Sequence, residues 1–338
     1  MVTINSNSVK HKAAVAQKFQ EYFGKSPSLM ARAPGRVNLL GEHVDYNDGI
    51  VLPMAIDRET IVAFAASTTD QSSILAADLG EQVTFSSQSL ETKSQIDGSP
   101  LPRWALYPVG IASALAAEGL DTPGMQAAFS STVPAGSGLS SSASIEMAFL
   151  TAWQALAGWS PPSMRRALIG QKAESQYVGV NCGAMDQFAS VCGETGKLLV
   201  LDCRSLEWEG LPLSDDFVIV LADTKVRHEL ARSEYNQRRA SCEEALRLFH
   251  KDLPSIRALR DLQLDGFNGL APKLPTELRK RVQHVVEEID RVKRAIPQLK
   301  AGNFAEFGQL MNTSHVSLRD LYEVSCPELD LMVQIANR

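Results

Sequence analysis

The chain reads as a mixed α and β protein of two domains or two closely packed halves, and three observations predict it. Its 338 residues exceed what a single core commonly organises. Short β-rich runs crowd residues 29–85, whereas helical periodicity dominates from Ser233 to the end. Between these regions, residues 124–132 read as a strand that feeds a Gly/Ser loop and then a helix at 145–156.

Val9, Ala13, Ala16, Phe19, Tyr22 and Phe23 fall at helical spacing and predict a first helix ending at Gly24. The β-rich runs at 37–40, 50–52, 60–64 and 83–85 are set off by Gly, Asn and Asp turns and predict a mixed or antiparallel sheet. Helices are expected over 104–120, despite Pro108, and over 164–177, with strands near 197–202 and 217–222. A Pro/Gly-rich break at 266–275 interrupts the later helices. The shift in composition places a boundary near 205–216, hence domains 1–210 and 211–338.

With 44% hydrophobic and 21% charged residues, no long disordered stretch is expected. The net charge of −6 leaves no basic field for a nucleic-acid backbone, and the arginines of 227–239 alternate with Glu229 and Glu234. Nucleic acid is therefore not an expected partner. Five cysteines (Cys182, Cys192, Cys203, Cys242, Cys326) without a C-x-x-C predict neither a disulfide framework nor a zinc site, and suit a reducing cytoplasm. Residues 1–12 are polar, and no apolar run approaches a membrane span, so a soluble chain with no membrane partner is expected.

Three segments carry the chemistry. Residues 134–143, Pro-Ala-Gly-Ser-Gly-Leu-Ser-Ser-Ser-Ala, place glycines and hydroxyls at a helix N-terminus, where unpaired N–H groups and the macrodipole favour phosphate. This is neither a Walker loop nor a dinucleotide fingerprint, and taken alone a Ser-rich helix cap accounts for it as well. Residues 33–49 pack Arg36, Glu42, His43 and Asp45 between two apparent strands, a set able to bind several hydroxyls and tell epimers apart, or simply a charged loop. Glu174 and Asp186, twelve residues apart, offer two carboxylates that could serve metal and acceptor hydroxyl separately, or act as surface or capping groups. A fourth segment, 232–239, opens a helix and could bring Tyr235 to a pocket mouth.

Together these segments resemble the galactokinases, of the superfamily shared with homoserine, mevalonate and phosphomevalonate kinases. Residues 35–47 (Gly-Arg-Val-Asn-Leu-Leu-Gly-Glu-His-Val-Asp-Tyr-Asn) resemble the galactokinase signature, 134–143 the superfamily's phosphate loop, and 181–187 (Asn-Cys-Gly-Ala-Met-Asp-Gln) its catalytic-aspartate loop; 232–239 add a further match. The resemblance runs from about residue 20 to 338. It implies an α+β, two-domain GHMP kinase fold, N-terminally like ribosomal S5 domain 2 and C-terminally ferredoxin-like, with the active site between the domains.

By that resemblance Glu42, His43, Val44, Asp45, Gly183 and Tyr235 form the galactose site. Gly136, Ser137, Gly138, Leu139, Ser140, Ser141 and Ser142 wrap the phosphates of ATP, Trp104 lines the adenine pocket, and Ser142 with Glu174 holds Mg²⁺. Asp186 and Arg36 are the implied catalytic pair in phosphorylation of the anomeric hydroxyl by ATP. Asp186 acts there as a base, or orients the hydroxyl while Arg36 and Mg²⁺ stabilise the phosphoryl group. A cytoplasmic monomer is expected. Family members also carry a third, Gly-rich motif, and this sequence stops at Arg338 before any such segment, so the C-terminal domain reads as truncated. A related sugar 1-kinase acting on N-acetylgalactosamine or arabinose, and a non-catalytic galactose/ATP-binding regulator, are the alternatives.

Overall fold

A computed structural model of the chain describes residues 6–214, 218–226 and 231–338. Among them, eight strands form two sheets: β1 (Leu29–Asn38), β2 (Ile50–Val51), β3 (Pro53–Ala66), β4 (Ser72–Ala76), β5 (Glu81–Phe85), β6 (Met125–Ser131), β7 (Lys197–Asp202) and β8 (Trp208–Pro212). The first sheet has the order β1-β3-β6-β4-β5 and the second β2-β7-β8. The first is mixed, as expected: β3 runs antiparallel to β6 with Thr60 opposite Ser131, while β4 runs parallel to β6 with Ile74 opposite Ala127.

Strand periodicity assigns its two faces. Ile61, Ala63 and Ala65 of β3 pack with Val15 and Phe19 of helix α1 (Ser6–Phe23), whereas the alternate residues Val62 and Phe64 join a larger core with helices α2 (Leu106–Ala117) and α3 (Ser141–Ala157). Phe64, Phe149 and Trp153 are fully buried in that core, each contributing about 1.5–3 kcal/mol. Pro108 fits because it lies in the first turn of α2, where the amide it lacks would have no partner inside the helix. Helix α4 (Ser163–Lys172) continues into a π-helical turn at Ala173–Val178, and α5 (Met185–Cys192) follows.

Two compact units emerge. Unit one comprises the residues up to Arg36 with 55–182 and 186–192; unit two comprises 37–54, 183–185 and the residues from Gly193 onward. The chain thus passes between them several times, and no single cut near residue 210 divides it. Leu40 and Leu52 pack in unit two with Leu198, Val292 and Phe307, an ordering that requires residues 37–54 to leave the first unit. The stretch read as a boundary at 205–216 contains β8, which pairs with β7.

Unit two also holds α6 (Ala231–Phe249), α7 (Leu264–Leu270), α8 (Thr276–Lys300), α9 (Phe304–Ser317) and α10 (Pro327–Ala336). The strand expected at 217–222 is not formed over 218–222, where Val218 and Val220 are more than 80% exposed and the backbone has no ladder to join; Phe217 lies outside the described residues. No helix among the described residues is long and apolar enough to cross a membrane.

Candidate active site

In unit one the site grows from a close approach between β1 and the Gly/Ser loop. A Cβ on Gly35 would lie 2.7 Å from the Leu139 carbonyl, so only glycine lets the two segments touch. The next amide, of Arg36, donates to that same carbonyl at 3.1 Å. The loop turns on Gly136 and Gly138, both with positive φ, and delivers Ser140 in the left-handed conformation at the head of α3.

Ser140 does not cap that helix with its side chain. Its hydroxyl donates to Asp186 Oδ2 at 2.5 Å instead, so the reading of this segment as a simple Ser cap fails and the first-turn amides gain nothing from it. Arg36 grips the other oxygen of Asp186, with Nε at 2.8 Å and the η2 nitrogen at 2.6 Å from Oδ1. Arg36 also donates to the Gly138 carbonyl at 2.5 Å, which ties the Gly/Ser loop and the carboxylate to one guanidinium. Asp186 sits in the first turn of α5, where the helix dipole favours negative charge.

Glu174 occupies the π-helical turn and is buried. Gln187 Nε2 donates both to Glu174 Oε2 at 2.7 Å and to Glu146 Oε2 at 3.0 Å, and the Ser142 hydroxyl hydrogen-bonds Glu174 as well. Burial first, then the charge of Asp186, raises Glu174 to about 7; burial and then Glu174 raise Glu146 well above the carboxylate range. Glu146 escaped the sequence reading, although a carboxylate on the apolar stripe of α3, beside Ala143, Met147 and Leu150, was a legible signal. Trp104 is partly buried: its ring packs on Phe129 and its indole N–H donates to Glu81 at 2.7 Å.

Unit two holds the other group of expected residues. Asn38 donates to Glu42 Oε1 at 2.9 Å; Val44 is fully buried and its carbonyl closes the turn by accepting from Asn47 and Gly49. Asp45 is buried, and a Cβ on Gly183 would lie 2.2 Å from its Oδ2. His43 has φ of 62°, a strained setting for a residue with a side chain, and its ring lies 5.5 Å from that of Tyr235 between centroids. The expected sugar residues Glu42, His43, Asp45, Gly183 and Tyr235 therefore all lie within this unit, as do the buttresses that sequence reasoning missed.

Those buttresses come from the C-terminal helices. Glu288 is fully buried, accepts the Gly41 amide at 2.9 Å and pairs with buried Arg291; His284 Nε2 donates to the Glu42 carbonyl at 3.2 Å. Their sequence signal was the charged and polar residues Arg281, His284, Glu288 and Arg291 on the buried stripe of α8. No group of three or more metal-ligating side chains occurs among the described residues.

Two family models match the chain: the galactokinase galactose-binding signature at residues 17–66, and the N-terminal domain of the GHMP kinases at 107–194. A galactokinase of Roseiflexus sp. (strain RS-1) is 42% identical over 320 residues, 95% of this chain and 80% of that protein. Human galactokinase is 42% identical over 342 residues, 99% of this chain and 85% of that protein. The chain belongs to the galactokinase family. The crystal structure of Lactococcus lactis galactokinase complexed with galactose superposes with a TM-score of 0.89 at 34% identity, covering 96% of this chain and 83% of that one. A mevalonate kinase, 18% identical with a TM-score of 0.56 over 92% of this chain and 85% of its own, shares the fold. This galactokinase-family chain is thus a sugar kinase of the GHMP fold, and the α+β expectation holds.

Proposed function

We propose that the protein transfers the γ-phosphoryl group of ATP to the anomeric hydroxyl of galactose, forming α-galactose 1-phosphate. The observation that carries the reading is the joining of the phosphate loop to Asp186 through Arg36 and Ser140. Phosphoryl transfer needs a positioned acceptor and a cation against the transferring oxygens, and this arrangement supplies both groups.

Asp186 acts as the base. Both its oxygens already accept hydrogen bonds, yet a carboxylate offers about four lone-pair sites, so the sugar hydroxyl can share Oδ2 with Ser140 and pass its proton there. Arg36 neutralises charge on the phosphoryl group, while residues 136–142 and the amides opening α3 cradle the ATP phosphates. Glu42, His43, Val44, Asp45, Gly183 and Tyr235 form the galactose site; Trp104 is assigned to the adenine pocket on resemblance alone.

Ser142 and Glu174 suit Mg²⁺: both offer oxygen, and a buried carboxylate pushed toward protonation by burial and by Asp186 regains its charge beside a divalent cation. When bound, the ion would neutralise phosphate oxygens of ATP. Two protein ligands suffice, since Mg²⁺ usually keeps waters and substrate phosphates in its shell. Five free cysteines suit a reducing compartment, and we place the activity in the cytoplasm.

The test is ADP formation with Mg-ATP and, separately, galactose, N-acetylgalactosamine, arabinose and glucose. Turnover with galactose above the others supports the reading; a preference for another sugar, or galactose binding without turnover, overturns it. Within that assay Arg36→Ala is expected to lower kcat roughly 10²-fold with little change in galactose KM, because its charge is used on the transferring group. A rise in KM alone would move Arg36 to substrate binding. Gly183→Ala drives a methyl into the Asp45 carboxylate. Galactose KM should rise about tenfold or more as buried Asp45 is displaced, with some loss of melting temperature beside it; an unchanged KM would remove Asp45 from the sugar site.

A further inference from the structure

Between the sugar-site residues and the C-terminal helices of unit two lies a line of hydroxyls that the reaction does not use. His43 Nδ1 is 2.9 Å from Tyr46 Oη, Tyr46 Oη is 2.8 Å from Tyr322 Oη, and Tyr322 Oη is 3.4 Å from Cys242 Sγ. Tyr322 and Cys242 are buried, and the Tyr322 ring is flanked by His284 and His43, at 4.5 and 4.7 Å between centroids. We propose that this line sets the tautomer of His43, with Tyr46 donating to Nδ1, so that His43 presents an Nε2–H donor to the sugar; Tyr46 and Tyr322 are the positioning residues. The proposal rests on the reading that His43 touches the sugar.

The direction of the line follows from the strengths of its ends. In one sense Cys242 S–H donates to Tyr322, Tyr322 to Tyr46, and Tyr46 to the imidazole. In the other, the imidazole Nδ1–H starts the line and a phenol ends it on sulfur. An imidazole nitrogen accepts far better than a thiol sulfur, which favours the first sense. Burial, then His284 and Arg238, hold His43 down to about 3, so the ring is neutral near pH 7 and carries one N–H. With Nδ1 accepting, that proton sits on Nε2, which has no partner among the described residues.

A donor is what this site needs. Glu42 and Asp45, when ionised, only accept, so each sugar hydroxyl can donate to a carboxylate while its lone pair takes the His43 proton. A hydroxyl of the wrong epimer would leave one of these groups unpaired. The Asn47 Nδ2 to His43 carbonyl bond, at 3.0 Å, holds the strained backbone that aims the ring.

The tautomer is readable without activity, by ¹⁵N–¹H long-range correlation spectra of the full chain labelled on histidine, with the His43 signals assigned by their loss in His43→Gln. Wild type should show Nε2 protonated and Nδ1 bare. Tyr46→Phe should populate the Nδ1–H form and raise galactose KM by up to about tenfold with kcat within a few-fold. Tyr322→Phe should give a smaller shift of the same sign, and Cys242→Ser, which keeps a donor at the head of the line, should leave both readouts near wild type. An Nδ1–H signature in wild type, or a spectrum unmoved by both Tyr→Phe variants, overturns the proposal. An unchanged galactose KM in His43→Gln, beside the expected wild-type spectrum, would instead remove His43 from the sugar site and leave the hydroxyl line standing.

Discussion

Asp186→Asn is expected to lower turnover of galactose and ATP by roughly 10²–10⁴-fold while galactose still binds. The substitution keeps shape and removes proton affinity. Asn can turn its oxygen toward Arg36 and its amide toward the Ser140 hydroxyl, so both existing partners, at 2.8 and 2.5 Å from the aspartate, remain satisfied and the loop stays in place. What is lost is an oxygen able to take the proton of the attacking hydroxyl, together with a negative charge beside the helix N-terminus. The check is steady-state ADP formation beside calorimetric titration with galactose. Near-normal turnover would leave Asp186 only an orienting role, and loss of galactose binding together with turnover would mean that the variant disturbs the loop rather than the chemistry.

A second large effect concerns stability against acid. His43 and His284 are both held down to about 3, by burial above all. A histidine whose folded pKa lies below its unfolded value contributes stability that is present above pH 6.5 and lost as pH falls toward 3. At about 1.36 kcal/mol per pH unit per group, the pair costs about 4 kcal/mol between pH 6.5 and 5.

The buried carboxylates act with the opposite sign. Glu174 and Glu146 are raised in the folded state, so their contribution is present at low pH and is lost as pH rises through the folded value, about 7 for Glu174. The histidine effect is therefore isolated as a difference. His284→Gln keeps an N–H for the Glu42 carbonyl and cannot titrate. Urea denaturation at pH 7 and pH 5 should show wild type losing about 2 kcal/mol more than this variant on acidification. Equal losses in the two proteins would mean that His284 charges without penalty, against its burial between Ser317 and Tyr322.

Much of this molecule is legible along the chain. The helices α1, α2, α3 and α4 and the strands β6 and β7 follow from periodicity and turn residues, because burying one face imposes a spacing that the sequence must carry. Where the reading slipped, a non-local partner decided. Trp208–Pro212, inside the stretch that reads as a domain boundary, is a strand because β7 lies beside it; 218–222, which reads as a strand, forms none, since no strand among the described residues pairs with it. A β-rich run states a preference, and only a neighbouring ladder satisfies its amides.

The site divides in the same way. Sequence by itself determined the family and the candidate residues: the glycines and serines of 134–143, the carboxylates Glu174 and Asp186, and the cluster from Glu42 to Asp45. Tertiary structure alone decided the partners: Arg36 to Asp186 across 150 residues, the Ser140 hydroxyl spent on Asp186 instead of the helix cap, and the support of His43 by Tyr46 and Tyr322. Residue type and spacing are local properties that a short stretch can encode. Which donor meets which acceptor inside a core depends on how distant segments pack, and burial then makes each such meeting costly to leave unmade.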